Sequence, residues 1–173
     1  MDNPTQSSGS TFNVSVAIAD ATNRLLLVKR RDSGRWTLPG GGVHPREGHL
    51  AAAGREVEEE TGMPVSYYNL AEAARDPRRF YWEPCDPRRP YHQEPSSGDD
   101  CNSSPQDNHH KLFFWATLIQ PFELPDYSQH PPQDPDIECA QWVTLADYHL
   151  YFEAQMPEVH ARAIAWFLKN IVS

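Results

Sequence analysis

Residues 41–63 read GGVHPREGHLAAAGREVEEETGM. The right-hand half, HLAAAGREVEEET (His49–Thr61), is built of strong helix formers apart from Gly54. Gly62 stands where a helix C-cap belongs, and Pro64 lies just beyond. The helix so defined carries four glutamates in five positions, Glu56, Glu58, Glu59 and Glu60. Like charges at this spacing repel and cost helix stability. Residues three and four apart share a helix face, so Glu56, Glu59 and Glu60 project together while Glu58 points to solvent. Three hard oxygen donors on one face suit Mg²⁺ or Mn²⁺, and a cation offsets the repulsion. The bland alternative is a solvated acidic face beside a surface turn.

The glycine run "LPGGGV" enters just before this helix. Without a Cβ, its backbone can approach a metal and phosphate oxygens closely. A metal held there can polarise a phosphoryl group and activate a water, and one glutamate can take the water's proton.

The rest of the chain frames this unit. TFNVSVAIAD (Thr11–Asp20) and RLLLVKR (Arg24–Arg30) read as strands joined by a DATN turn. RWTLPGGGV carries a short strand into the glycine loop. Residues 64–74, 111–119 and 139–145 read as further strands. The tail has Val159, Ile164, Phe167, Leu168 and Ile171 at helical spacing. Residues 83–108 and 119–137 each hold five prolines and read as loops, the first long enough to be a lid or a disordered insert. Residues 1–10 read as a disordered leader, leaving one domain over 11–171. Strands on both sides of one helix, with a second helix at the end, predict an α/β sandwich on a mixed sheet.

Composition narrows the partners. The 173 residues carry a net charge of −9 and 39% apolar residues. That balance excludes a general nucleic-acid binder, which shows a basic stripe, but not an anionic small molecule. No run of eighteen apolar residues exists, and no apolar segment follows a basic start. The three scattered cysteines, Cys85, Cys101 and Cys139, read as reduced thiols of a cytoplasmic protein. A Cys85–Cys101 bridge in a mature secreted form is the alternative. Oligomeric state is not legible.

From Gly41, glutamate follows six positions on at Glu47, then Arg55, Glu56, Val57, Glu59, Glu60, Gly62 and Met63. This pattern resembles the Nudix box, G-x5-E-x7-R-E-U-x-E-E-x-G-U with U a bulky aliphatic residue, and matches every fixed position. The order of elements over residues 11–171 also resembles the Nudix fold, an α/β/α sandwich with a mixed central sheet. The resemblance implies hydrolysis of a nucleoside diphosphate linked to another moiety. It implies Glu56, Glu59, Glu60 and the Gly40 carbonyl as ligands of Mg²⁺ or Mn²⁺, and Glu56 or Glu59 as base. It implies that Arg55 orients the glutamates and that Glu47 pairs with Arg55 to lock loop to helix. Arg46, His44 and Gly54 depart from the family's usual residues, which puts the loop's shape in question but removes no ligand.

Substrate-side residues are less defined. Lys29, Arg30, Arg31 and Arg35 precede the glycine loop and can meet phosphates, or form an ordinary basic hairpin edge. The aromatics of "RRFYW" (Arg78–Trp82) can stack on a base or pack in the core. Tyr81, eighteen positions after Met63, resembles a tyrosine of the diadenosine-polyphosphate hydrolase branch; Pro77 is poorly placed for the ADP-ribose branch. A diphosphoinositol polyphosphate would need a dense basic pocket. Residues 75–111 offer six basic side chains against seven acidic ones. An isoprenoid diphosphate would need an apolar cleft, and a non-catalytic nucleotide sensor could lose its glutamates, all of which are present. In the family an acidic residue before the last strand often nears the site. Asp134, Asp136 and Glu138 are the candidates here, and Glu138, nearest the strand, is preferred because a rigid element holds a catalytic group best.

Overall fold

The computed structural model describes residues 11–71, 81–82 and 109–172. The expected leader (1–10), most of the RRFYW stretch and the 83–108 insert lie outside the described residues.

The described strands form one mixed sheet: β1 (Thr11–Ala19), β2 (Leu25–Arg30), β3 (Trp36–Thr37), β4 (Tyr68–Ala71), β5 (Tyr81–Trp82), β6 (His109–Leu118) and β7 (Ile137–Val143). The box helix α1 runs His49–Thr61, as the propensities predict, and ends at Gly62 in the left-handed conformation, φ 77°, with its N–H on the Glu58 carbonyl. A terminal helix α2 (Glu158–Phe167) follows short helical turns between Leu145 and Gln155. The segment expected as a strand over 64–74 begins instead with a 3₁₀ turn at Val65–Tyr67. Pro64 fixes the entry, and strand pairing starts only at Tyr68, opposite Leu118.

β1 is central. It pairs in parallel with β6 over its whole length, from Thr11 opposite His109 to Ala19 opposite Thr117. Val14, Val16 and Ile18 are fully buried, and so nearly are Ser15 and Ala17. Both faces of this strand are therefore covered, which is what a helix on each side requires. Phe12 meets His49 of α1 at 4.9 Å, whereas Phe113, the register partner of Ser15, meets His160 of α2 edge-on at 5.6 Å. Alternate residues of the pair thus face opposite helices.

The β1–β2 hairpin pairs only at its base, Ala19 opposite Leu25. Beyond that point the strands part. β2 turns to β3 on one side and β7 on the other. The glycine loop fills the vacated edge of β1: Val16 donates to the Pro39 carbonyl at 2.9 Å, Val14 to Gly41 at 2.8 Å, and Val43 returns a bond to Phe12 at 2.9 Å. The loop that hydrophobic patterning cannot distinguish from a mobile turn is thus laid down as a strand-like strap.

Candidate active site

The strap comes close to β1 at Gly40. Its φ is 152°, and a Cβ there would lie 2.0 Å from the Val14 carbonyl oxygen. Only glycine fits. So seated, Gly40 donates its N–H to Glu60 Oε2 at 2.8 Å. Gly41 faces the helix: a Cβ on it would meet the Glu56 carboxylate at 2.5 Å.

Arg55 ties the strap to the helix. Its Nε and Nη2 donate to Glu47 Oε1 and Oε2 at 2.8 and 2.9 Å, and Nη2 also reaches the Gly42 carbonyl at 2.8 Å. Its Nη1 donates to Glu56 Oε1 at 2.8 Å and to Glu59 Oε2 at 3.0 Å. Glu47 Oε2 accepts a further bond from the His44 N–H. The Arg55 hydrogen bonds, with help from His44, hold the Glu47 carboxyl down to about 2, and Glu47 in turn raises the Arg55 guanidinium above its ordinary value.

The carboxylates then divide. Glu56, Glu60 and Asp134 can each place an oxygen within 4.8 Å of the others. Glu59 stands outside that set, on Arg55 and partly exposed. Asp134 arrives from the Pro-rich segment 119–136, which docks on the end of α1: Asp134 N–H donates to the Glu59 carbonyl at 3.1 Å, and the Tyr127 hydroxyl donates to the Thr61 carbonyl at 2.9 Å. Glu60 is 1% exposed. Burial pushes its carboxyl up to about 8, and Glu56 and Asp134 add to the rise against the Gly40 N–H. Burial also raises Glu56, opposed by Arg55. Three hard oxygen donors converge, and burial disfavours the charged form of one of them, which a bound cation would restore. This donor set fits a divalent cation.

Glu138 does not join this group. In β7 it alternates outward from fully buried Ile137 and pairs with Lys29 at 3.1 Å. The preference for Glu138 over Asp134 rested on rigidity of the strand. The backbone bond from Asp134 to α1 supplies that rigidity to the loop instead.

Beside the strap lies a cleft of about 330 Å³, lined by Asn13, Val14, Ser15, Arg30, Thr37, Leu38, Gly40, Gly41, Pro157 and His160. Arg30 thus reaches it, while pairing with Asp32 at 3.2 Å. Arg31 and Arg35 are exposed on the β2–β3 turn and are not in the lining. Tyr81 sits in β5 opposite Leu112, and its ring lies outside the described side chains. His160 escaped the sequence reading. Its position four and seven residues before Ile164 and Phe167, on the apolar face of α2, was the available signal.

Comparison with known proteins agrees with this architecture. The profile of the NUDIX domain matches residues 9–167, and the chain belongs to the Nudix family. A Bacillus subtilis (strain 168) protein named, provisionally, an 8-oxo-dGTP diphosphatase is 45% identical over 60 residues, 35% of this chain and 37% of that protein. An RNA pyrophosphohydrolase of Ruthia magnifica subsp. Calyptogena magnifica is 35% identical over 72 residues, 42% of this chain and 39% of that protein. The chain therefore spans about two fifths of the length of these curated relatives. The solved structure of a NUDIX hydrolase from Nitrosomonas europaea superposes with a TM-score of 0.62 at 15% identity, covering 95% of this chain and 73% of that one, which shows a shared fold. Among the described residues no helix is long and apolar enough to cross a membrane.

Proposed function

We propose that this chain is a metal-dependent pyrophosphohydrolase that cleaves a diphosphate linkage in a nucleoside diphosphate derivative. The cleft carries this reading. Among the described residues its polar lining is Asn13, Ser15, Thr37 and His160, with Arg30 as the one permanently charged side chain. His160 Nδ1 accepts the buried Leu38 N–H, which leaves the ring neutral with its one proton on Nε2. One cation beside uncharged hydrogen-bonding walls suits one phosphate and a nucleoside. Among the described residues the lining offers one cation where a diphosphoinositol would need many, and a prenyl chain would leave these polar groups unpaired.

Glu56, Glu60 and Asp134 would hold Mg²⁺ or Mn²⁺, with the carbonyl of Gly40, whose N–H bonds Glu60, as a further ligand. The ion, when bound, polarises a phosphoryl oxygen and acidifies a coordinated water. Glu59, on Arg55 and outside the three-carboxylate cluster, is placed to take the proton as the water oxygen attacks phosphorus and the bridging P–O bond breaks. Arg55 and Glu47 keep strap and helix in register. Arg30 steadies a phosphate at the cleft mouth, and Arg31 and Arg35 extend the positive edge outward.

Turnover should be measured with Mg²⁺ across nucleoside triphosphates, dinucleoside polyphosphates, ADP-ribose, triphosphorylated RNA, a diphosphoinositol and geranyl diphosphate. Hydrolysis confined to nucleotide substrates and abolished by EDTA is expected. Full activity in excess EDTA, or preference for the last two compounds, would remove the proposal.

A further inference from the structure

His160 lies on the terminal helix, far in sequence from the box, yet it is 3% exposed and touches the strap. Its Nδ1 accepts the Leu38 N–H at 3.2 Å, across 122 residues of chain. Leu38 is itself 2% exposed, so that N–H relies on the imidazole and is costly to leave unpaired. Two residues on, Gly40 donates to Glu60 Oε2 at 2.8 Å. Between them the Pro39 carbonyl is taken by Val16, and beyond them the Gly41 carbonyl by Val14. The strap is therefore clamped on one edge by β1 and on the other by α2, and what it presents to the helix is the N–H that orients the most buried of the three clustered carboxylates. Phe113 braces the imidazole edge-on.

We propose that His160 is a positioning residue for the metal centre: through Leu38 and the strap it sets the Gly40 N–H against Glu60, so the terminal helix tunes cation affinity without touching the cation. The inference rests on the metal centre of the preceding reading, but not on its choice of substrate. It implies that the acceptor atom matters, not the ring. Asparagine places an oxygen near the position of Nδ1, whereas leucine fills similar space with no acceptor. Coupling of this kind is reciprocal, so cation binding must also be felt at the Leu38–His160 contact.

Mn²⁺ binding to the full chain, followed by electron paramagnetic resonance, separates the outcomes. His160→Leu should weaken Mn²⁺ about tenfold or more, while His160→Asn should stay within about threefold of wild type, consistent with the effect of residues that orient metal ligands. Equal affinity in His160→Leu and wild type, or equal loss in both variants, would overturn the coupling and leave His160 a packing residue. A wild type that binds no Mn²⁺ would overturn the metal centre and the coupling together, whereas failure on every nucleotide substrate would touch neither. Should the variants not fold, Mg²⁺ titration of the wild type answers the same question. The Leu38 amide and His160 ring ¹⁵N resonances must shift, and their constancy would sink the idea.

Discussion

Arg55 grips Glu47 with two parallel hydrogen bonds, Nε to Oε1 at 2.8 Å and Nη2 to Oε2 at 2.9 Å, while its remaining nitrogen divides between Glu56 and Glu59. The planar fork is what makes this possible, because a lysine ammonium has no fixed donor plane. Arg55→Lys should keep the charge, lose the fork and release the strap. A fall of about 10- to 100-fold in kcat or metal affinity is expected, the usual range for residues that orient ligands. Steady-state kinetics and Mn²⁺ titration check it, and near-wild-type values would deny the arginine its orienting role.

The two oppositely shifted carboxylates predict opposite pH responses. Glu47 is held near 2, below its ordinary 4.5, so its contribution to stability is fully present above 4.5 and disappears as pH falls toward 2. Glu60 is raised to about 8, so between 4.5 and 8 the folded metal-free chain keeps a proton that the unfolded chain has released. Its contribution is therefore lost as pH rises through that window. Thermal melts in EDTA should fall in Tm as pH rises toward 8, and Mg²⁺ should flatten the slope by displacing the proton. Calorimetric titration of Mg²⁺ in buffers of different ionisation enthalpy should show proton release at pH 7.

Asp134 and Glu138 make a matched pair. Asp134→Asn should weaken Mn²⁺ binding and lower kcat at least tenfold, roughly 1.4 kcal/mol of barrier. Glu138→Gln breaks only a half-exposed pair with Lys29 and should leave kcat within about twofold. The reverse ranking in a steady-state assay would return the base to β7.

Glycines on either side of the site should respond in opposite directions. Gly41→Ala drives a Cβ into the Glu56 carboxylate and should cost metal affinity with the fold intact by circular dichroism. Gly54, in the middle of α1, has room: a Cβ would meet Val65 Cγ2 at 3.4 Å, an ordinary contact. Gly54→Ala should stabilise the chain by up to about 1 kcal/mol, read from urea melts, through helix propensity alone.

The strength of the sequence signal followed its range. The helical half of the box was legible because periodicity puts Glu56 and Glu60 on one face, although it also grouped with them Glu59, which turns to Arg55 instead. α1 accordingly begins and ends where its formers and Gly62 say it should. Glu47 and Arg55 are eight residues apart, and their pairing was expected only by resemblance to a family. Asp134 was visible as one of three acids, but that it is the one docked on the helix rests on contacts such as its backbone bond to Glu59, 75 residues away in the chain. The His160–Leu38 contact spans further still: periodicity puts His160 on the apolar face of its helix but does not say which N–H it meets. Periodicity reports faces of elements, whereas sites are made where elements cross.

The early parting of β1 and β2 has a further consequence. Because the hairpin is joined only at Ala19 and Leu25, the molecule behaves like an opened book whose spine is that single rung. One leaf, β1 with the strap and α1, bears Glu56 and Glu60 and receives Asp134 from the segment that enters β7. The other, β2 with β3 and β7, bears Arg30 and the basic turn. Changes of length or residue in β2, β3 and the turn between them can redraw what enters the gap while leaving the carboxylates untouched. Recognition and hydrolysis can thus be inherited separately, and a lineage can exchange one substrate for another without rebuilding the machinery that cuts it.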